Sequence, residues 1–340
     1  MEKSLVSVLT PCYNTGNYVH RLLESVLQQT YPNIEMLVVD DGSTDNSVEV
    51  INSYIEKFKV KGYSLSVVHQ ENSGQSVAIR EGLKMLHGKY IVWPDSDDFY
   101  ASPLCIEQMV DAFEALGDDY GLVRTQQNVL EDGTLKVIGI NGANAKNDID
   151  KRLLFEDCLF CKNNFYFCPG AYMADFQKLK ASTKEIYTDK NAGQNWQLML
   201  PLLYHYRCYT IKERLYNVIQ RTNSHSRGQY KGFEKLLTKT ESYENTLLGT
   251  LERINNMPKD EKDIYSLHIK QKYCREKIRL AYVFRKEQEF KKWFQECESI
   301  GGITLKEKIY KTFYAFPFFV NRLYALKSFI ANKYSKISQR

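Results

Sequence analysis

Apolar residues in the first hundred positions fall into short unbroken runs that alternate with helically spaced ones. Leu5-Val6-Ser7-Val8-Leu9-Thr10 reads as a buried strand stopped at Pro11. Asn14, Thr15 and Gly16 then supply a turn, and Val19, Leu22, Leu23, Val26 and Leu27 repeat at helical spacing. A second strand, Ile34 to Val39, ends in Asp40-Asp41-Gly42-Ser43, and a helix that begins at Ser43 to Asp45 carries Val48, Ile51, Tyr54, Ile55 and Phe58. A third, Leu65 to Val68, runs to Asn72-Ser73-Gly74-Gln75-Ser76 and a helix holding Val77, Ile79, Leu83 and Leu86. The fourth, Tyr90-Ile91-Val92-Trp93, is β-branched or aromatic throughout, and Pro94 stops it because proline cannot donate to a ladder. Strands and helices alternating through short loops predict an α/β fold with a parallel, doubly wound sheet. Ligands of such sheets sit beyond the carboxyl ends of the strands. All four polar clusters, 10–14, 40–43, 72–76 and 95–98, lie there.

The last cluster carries the most charge. Asp95, Asp97 and Asp98 fall close together, and an extended run turns Asp95 and Asp97 to the same side. Like charges held side by side repel unless a cation joins them. A hard divalent ion, Mg²⁺ or Mn²⁺, takes oxygen ligands and keeps positions open for substrate phosphates. The alternative is an acidic loop with Asp98 capping the next helix. Asp41 also has two readings, an acceptor for a base N–H or ribose hydroxyl, or a cap on the helix at Ser43. Gly74 permits close backbone approach, and Arg80 faces either a diphosphate or solvent.

Farther on, the pattern predicts strands at Tyr120 to Gln126 and Val137 to Ile140 around a turn at Glu131-Asp132-Gly133, then a surface loop over 141–150. Leu198 to Tyr206 is apolar enough for core, which makes His205 a packing residue rather than a ligand. Tyr216 to Gly228 contains Arg221, Ser224, His225, Ser226 and Arg227; it is either a loop whose Arg221 or His225 holds a leaving group or a polar linker. Leu236, Leu237, Tyr243, Leu247, Leu248, Leu251 and Ile254, then Tyr265 to Phe294 after Pro258, predict an appendage of amphipathic helices. The tail from Ile303 interleaves Tyr310, Phe313, Tyr314, Phe316 and Phe329 with Lys306, Lys308, Lys311, Arg322 and Lys333. Such a stripe suits either an anionic membrane surface or a subunit interface, as in a homo-oligomer.

Length and charge narrow the function. The 340 residues support a large core and two domains, expected at 1–228 and 229–340. A net charge of +5 is too mild for a nucleic-acid partner. No apolar run is long enough to span a bilayer, and a chain that opens into strand at Leu5 shows no secretory leader. A cytoplasmic protein is expected, free or peripheral on the inner face of the plasma membrane. The eight cysteines are then reduced thiols; Cys158, Cys161 and Cys168 lack the second cysteine pair or paired histidine of a zinc site.

The ordered runs S-V-L-T-P-C-Y-N, S-V-L-Q-Q-T-Y-P-N-I-E, V-V-D-D-G-S-T-D-N-S, N-S-G-Q-S-V-A-I-R-E-G and G-K-Y-I-V-W-P-D-S-D-D-F, within residues 4–115, resemble the nucleotide-sugar domain of the family 2 glycosyltransferases. The resemblance implies a GT-A fold, a Rossmann-like and mainly parallel sheet. It also implies a nucleotide-diphosphate sugar donor, commonly a UDP-sugar, and inverting transfer helped by Mn²⁺ or Mg²⁺. The acceptor would be a hydroxyl of a glycan, glycoprotein or lipid carrier, as in bacterial capsule and polysaccharide assembly. By the same resemblance Thr10, Pro11 and Tyr13 pack around the base and Asp41 hydrogen-bonds it. Asn72 and Arg80 fall in the turn and helix that follow, where the family's Ala-Arg-Asn run is replaced by Ala78, Ile79 and Arg80. Asp95-Ser96-Asp97 matches the D-x-D signature, with Asp95 by the ribose and metal shell and Asp97 the metal ligand. The family's acidic pair ahead of an aromatic becomes Gln194 and Asn195 before Trp196, on the acceptor side. Amides hold an acceptor but cannot take its proton. Asp189 is the replacement base, with Asp175 behind it as a second base candidate or a helix cap. An alternative function is a nucleotide-sugar-binding subunit that scaffolds an active partner. A nucleotidyltransferase is disfavoured, because no Gly-rich triphosphate loop follows the first strand.

Overall fold

Burial along the whole of β1 (Val6–Cys12) follows from its place between two parallel neighbours, β2 (Ile34–Asp40) and β4 (Tyr90–Val92). The computed structural model describes residues 3–147, 149–221 and 232–315. Between those strands lie α1 (Val19–Leu27), α2 (Ser47–Asn52), α3 (Ile55–Lys61), β3 (Ser64–His69) and α4 (Gln75–Leu83). After β4 come β5 (Phe99–Tyr100), α5 (Cys105–Ala115), β6 (Tyr120–Glu131), β7 (Val137–Asn141), α6 (Lys151–Phe160), β8 (Tyr172–Asp175) and α7 (Phe176–Ser182). Next are α8 (Asn195–His205), β9 (Arg207–Gln220), α9 (Phe233–Arg253), α10 (Lys259–Val283), α11 (Glu287–Ser299) and α12 (Leu305–Ala315).

The sheet order is β3-β2-β1-β4-β8-β6-β9-β5, with β7 paired to β6. β3, β2, β1 and β4 are parallel, as the alternating pattern predicts. The doubly wound parallel expectation ends there. β8 enters antiparallel between β4 and β6, β6 and β9 run parallel, and β5 closes the edge antiparallel to β9. The fold is α/β with a mixed sheet flanked by helices. The single helix expected over Ser43 to Phe58 divides into α2 and α3, because the chain turns at Tyr54, which buries its ring and donates its hydroxyl to Glu24 Oε1 at 2.8 Å. α1 keeps the predicted stripe, burying Val19, Leu22, Leu23 and Val26. In α8, Leu198 to Leu203 are buried, and half-buried His205 meets the Asn255 carbonyl through Nε2 at 2.9 Å.

The chain divides into two compact units. The first holds the sheet and includes residues 245–262. The second, whose described residues are 232–244 and 263–315, has its own core of Phe233, Ile278, Tyr282, Phe290, Trp293 and Phe294. Tyr310 stacks on Tyr282 at 4.5 Å and Tyr314 on Phe290 at 4.6 Å. The first aromatics of the tail therefore pack within their own helical unit, because a helix of this spacing finds an apolar face beside it. Phe316, Arg322, Phe329 and Lys333 lie outside the described residues. Among the described residues no helix is long and apolar enough to cross a membrane. All eight cysteines are free thiols, and Cys161 alone among them is exposed.

Candidate functional site

The carboxyl end of β4 delivers the acidic cluster. A tight turn, closed by the Asp98 N–H on the Asp95 carbonyl at 3.2 Å, sends the three carboxylates toward different elements. Asp95 Oδ1 accepts from Gln75 Nε2 at 2.7 Å and from Gln194 Nε2 at 2.6 Å. Asp97 pairs with Arg221 at 2.5 Å, just past the end of β9. Asp98 accepts from the Ile219 N–H at 2.8 Å, so it does not cap α5; β9 runs alongside and claims its carboxylate. The Arg221 guanidinium also lies 4.8 Å from the centre of the Tyr18 ring, whose hydroxyl donates to Asp132 at 3.1 Å.

Burial raises the pKa of all three carboxyls. For Asp95 and Asp98 neighbouring carboxylates add to it, while at Asp97 the Arg221 charge works against it. Burial also pushes the Cys168 thiol up, with Asp98 and Asp95 close by. Three carboxylates in one turn, of which Asp97 alone is paired with a guanidinium, form a hard-oxygen site short of positive charge. Among the described residues no group of three or more His, Cys, Asp or Glu side chains forms a protein-only metal cage. The carboxylate donors would suit Mg²⁺ or Mn²⁺, which binds through one or two carboxylates and completes its shell with water and substrate phosphate.

At the end of β2, Asp41 is only 4% exposed. Its carboxylate accepts from Gln70 Nε2 (2.7 Å), the Ser73 N–H (2.8 Å) and the Gly74 N–H (2.9 Å). Asn72 donates its amide to the Asp41 carbonyl at 3.0 Å. The helix-cap reading of Asp41 is corrected: α2 starts only at Ser47, where Asp45 accepts from the Ser47 N–H at 2.9 Å, and Asp41 turns to the 70–74 loop instead. A carboxylate has about four acceptor positions, and these three bonds leave one of them unused. Asp41→Asn should destabilise the protein by about 1–3 kcal/mol, because an amide N–H₂ would then face a backbone donor. A urea midpoint equal to that of the wild type would refute this role.

The segment after α7 closes over α4. Ser76 Oγ donates to the Asp189 carbonyl at 2.9 Å and accepts its N–H at 3.1 Å, which fixes Asp189 beside the start of α4. The half-buried Asp189 side chain accepts only a local bond from Asn191 N–H, at 2.9 Å, among its described contacts. Gly74 makes its close approach here, against Lys190. Arg80 turns from the acidic cluster toward Glu81 (2.7 Å), Thr188 (3.3 Å) and Glu185 (4.0 Å). Thr10 and Pro11 are buried at the end of β1, the Thr10 hydroxyl without a hydrogen-bond partner among the described residues, and Tyr13 is 50% exposed. Trp196 donates its indole N–H to the Cys158 carbonyl at 3.1 Å, and Asp175 caps α7 by accepting from the Lys178 N–H at 3.0 Å.

The fold thus gathers Asp95, Asp97, Gln194 and Arg221 from the residues singled out in sequence. It adds Gln75, Tyr18 and Asp132, none of them singled out as a site residue in sequence, although Gln75 stood in the 72–76 polar cluster and Asp132 in the turn at 131–133. Ser224, His225, Ser226 and Arg227 lie outside the described residues.

Residues 7–167 match the family model described as Glycosyl transferase family 2. Streptococcus pneumoniae glycosyltransferase GlyG is 44% identical over 95 residues, which cover 28% of this chain and 30% of that protein. The chain spans less than half the length of the curated relatives it matches first. In structure it is similar to S. aureus TarS residues 1–349 in complex with UDP-GlcNAc: TM-score 0.63, 17% identity, covering 87% of this chain and 81% of that one. It is also similar to the Pyrobaculum calidifontis mannosyltransferase PcManGT in complex with GDP-Man and Mn²⁺, with TM-score 0.52, 13% identity, and 94% and 89% covered.

Proposed function

We propose that this chain, which carries a family 2 glycosyltransferase domain of GT-A fold, transfers one sugar from a nucleotide-diphosphate donor to a hydroxyl of a growing glycan. The observation that carries the reading is the Asp95 and Asp97 pair at the end of β4, inside the segment that matches the family. The donor class proposed is a UDP-sugar, the ligand class bound in the TarS structure.

Thr10, Pro11 and Tyr13 receive the base, and the remaining acceptor position of Asp41 takes its N–H. Asn72 and the backbone of the 72–74 turn line the nucleotide, while Arg80, turned toward Glu185, sits at the margin of the site. Asp97 would hold the divalent cation, with Asp95 beside it; when bound, that ion stabilises the negative charge left on the departing diphosphate. Arg221, the present counter-ion of Asp97, would neutralise the same phosphate charge. The acceptor oxygen attacks the anomeric carbon from the face opposite the diphosphate, and the bond from carbon to phosphate oxygen breaks with its electrons on the leaving group. The configuration inverts, and the acceptor proton passes to Asp189. Gln194, Asn195 and Trp196 border the acceptor side.

The test is consumption of UDP-, GDP- and dTDP-sugars by the purified chain with Mn²⁺, with and without short glycan acceptors. Release of UDP from one donor is expected. Donors that bind but are never consumed, acceptors included, would replace the enzyme by a binding subunit.

A further inference from the structure

We propose that the outward face of α12 docks on an anionic lipid surface. The proposal concerns the helical unit by itself and does not depend on the transferase reading.

Two faces of α12 turn in different directions. On one, Tyr310 stacks on Tyr282 and Tyr314 on Phe290, Phe313 packs against the same core, and Glu307 is 3% exposed. Glu307 accepts from the Thr304 N–H at 3.0 Å, which closes a capping box and turns its charge toward the helix start. The other face carries Leu305, Lys308, Ile309 and Thr312, spaced as one side of a helix requires, with Lys306 and Lys311 beside them. All of these are exposed, Leu305 by 73% and Ile309, one turn on, by 42%. A helix that already buries an apolar stripe is expected to show water a polar face. Here two large aliphatic side chains stand among three lysines instead.

The charge of the segment decides what can cover that face. Seven basic residues and no acid follow Glu307, in a chain whose net charge is +5, so the positive excess lies wholly after that residue. On the adjoining α11 the carboxylates of Glu287 and Glu289 already have partners, Lys291 at 2.7 Å and Lys292 at 4.0 Å. A second copy of the chain would set lysine against lysine across a two-fold axis, which repels. A nucleic acid would meet the lysines but offers no apolar phase to Leu305 and Ile309. A membrane with anionic headgroups satisfies both. The aliphatic side chains enter the acyl boundary, and the lysine stems lie along it while their ammonium groups reach the phosphates. Tyr310, Phe313 and Tyr314 take no part, since they are held against the core of the unit.

The experiment is co-sedimentation of the full chain with vesicles of phosphatidylcholine alone, or of phosphatidylcholine with about one third phosphatidylglycerol. Binding is expected only to the anionic vesicles, and about 1 M salt should release most of the protein. Lys306→Gln, Lys308→Gln and Lys311→Gln together should weaken partitioning by about 10²-fold, at roughly fivefold per lysine. Leu305→Ser with Ile309→Ser should weaken it by about tenfold or more at unchanged charge. Both sets of substitutions lie on an exposed face, and a wild-type melting temperature shows that each variant is folded; should one unfold, the other is read alone. Equal binding to both kinds of vesicle, binding to neither, or folded variants that partition as the wild type does would each overturn the proposal. A wild-type dimer that these substitutions dissociate, without vesicle binding, overturns it in favour of a subunit interface.

Discussion

Asp97→Asn should lower turnover by about 10²–10³-fold and abolish the rise in melting temperature expected of the wild-type protein with Mn²⁺. The two readouts follow from one geometry. Asp97 is paired to Arg221 at the edge of a buried cluster that holds more carboxylates than cations. Mn²⁺ at about 100 times its Kd would stabilise a protein that binds it only when folded by about 2.7 kcal/mol. Without the Asp97 charge that linkage disappears. The metal-free variant should remain folded, within about 1 kcal/mol of wild type, because Arg221 loses one partner while Asp95 and Asp98 lose a repulsive neighbour. Turnover that survives the substitution would remove Asp97 from the site, and a Mn²⁺ shift that survives would move the metal elsewhere.

Gly74→Ala carries the second large effect. The backbone there has φ +95 and ψ 157, a region that L residues rarely occupy. An added Cβ would lie 2.3 Å from the Lys190 carbonyl oxygen and 2.9 Å from the Lys190 Cα. Those are backbone atoms, so no rotamer relieves the contact. Strain and overpacking together should cost about 2–5 kcal/mol. The displaced segment carries Asp189 on one side of Lys190 and Gln194 on the other, and Gly74 itself donates to Asp41. Both stability and donor affinity should therefore fall together. A variant with wild-type urea midpoint and wild-type UDP binding would show that the 189–194 segment moves freely of α4.

Asp41 shows how much of the site was legible and where legibility stopped. Its position at a strand end, beside a Gly-Ser turn, marked it from local pattern alone. Its partners, Gln70, Ser73 and Gly74, belong to the next strand and loop, and a carboxylate in sequence does not say which way it turns. Arg80 makes the same point from the other direction. Helical position allowed a diphosphate partner or solvent, and Glu185 and Thr188, more than a hundred residues away in sequence, took the guanidinium instead.

By itself the sequence determined β1 to β4, α1 and α4, the strands β6 and β7 and the position of the acidic cluster at 95–98, because those features are written in local pattern: unbroken apolar runs for strands buried by parallel neighbours, helical spacing between them, and short loops that leave few topologies. Tertiary structure decided the rest. Only packing could place β8 antiparallel against β4, bring Gln75 and Gln194 onto one oxygen of Asp95, or set Arg221 against Asp97. Such partners lie up to 124 residues apart, from Asp97 to Arg221. Contacts of that range leave no period in the chain, and they are chosen by whichever buried polar group finds a donor when the sheet closes.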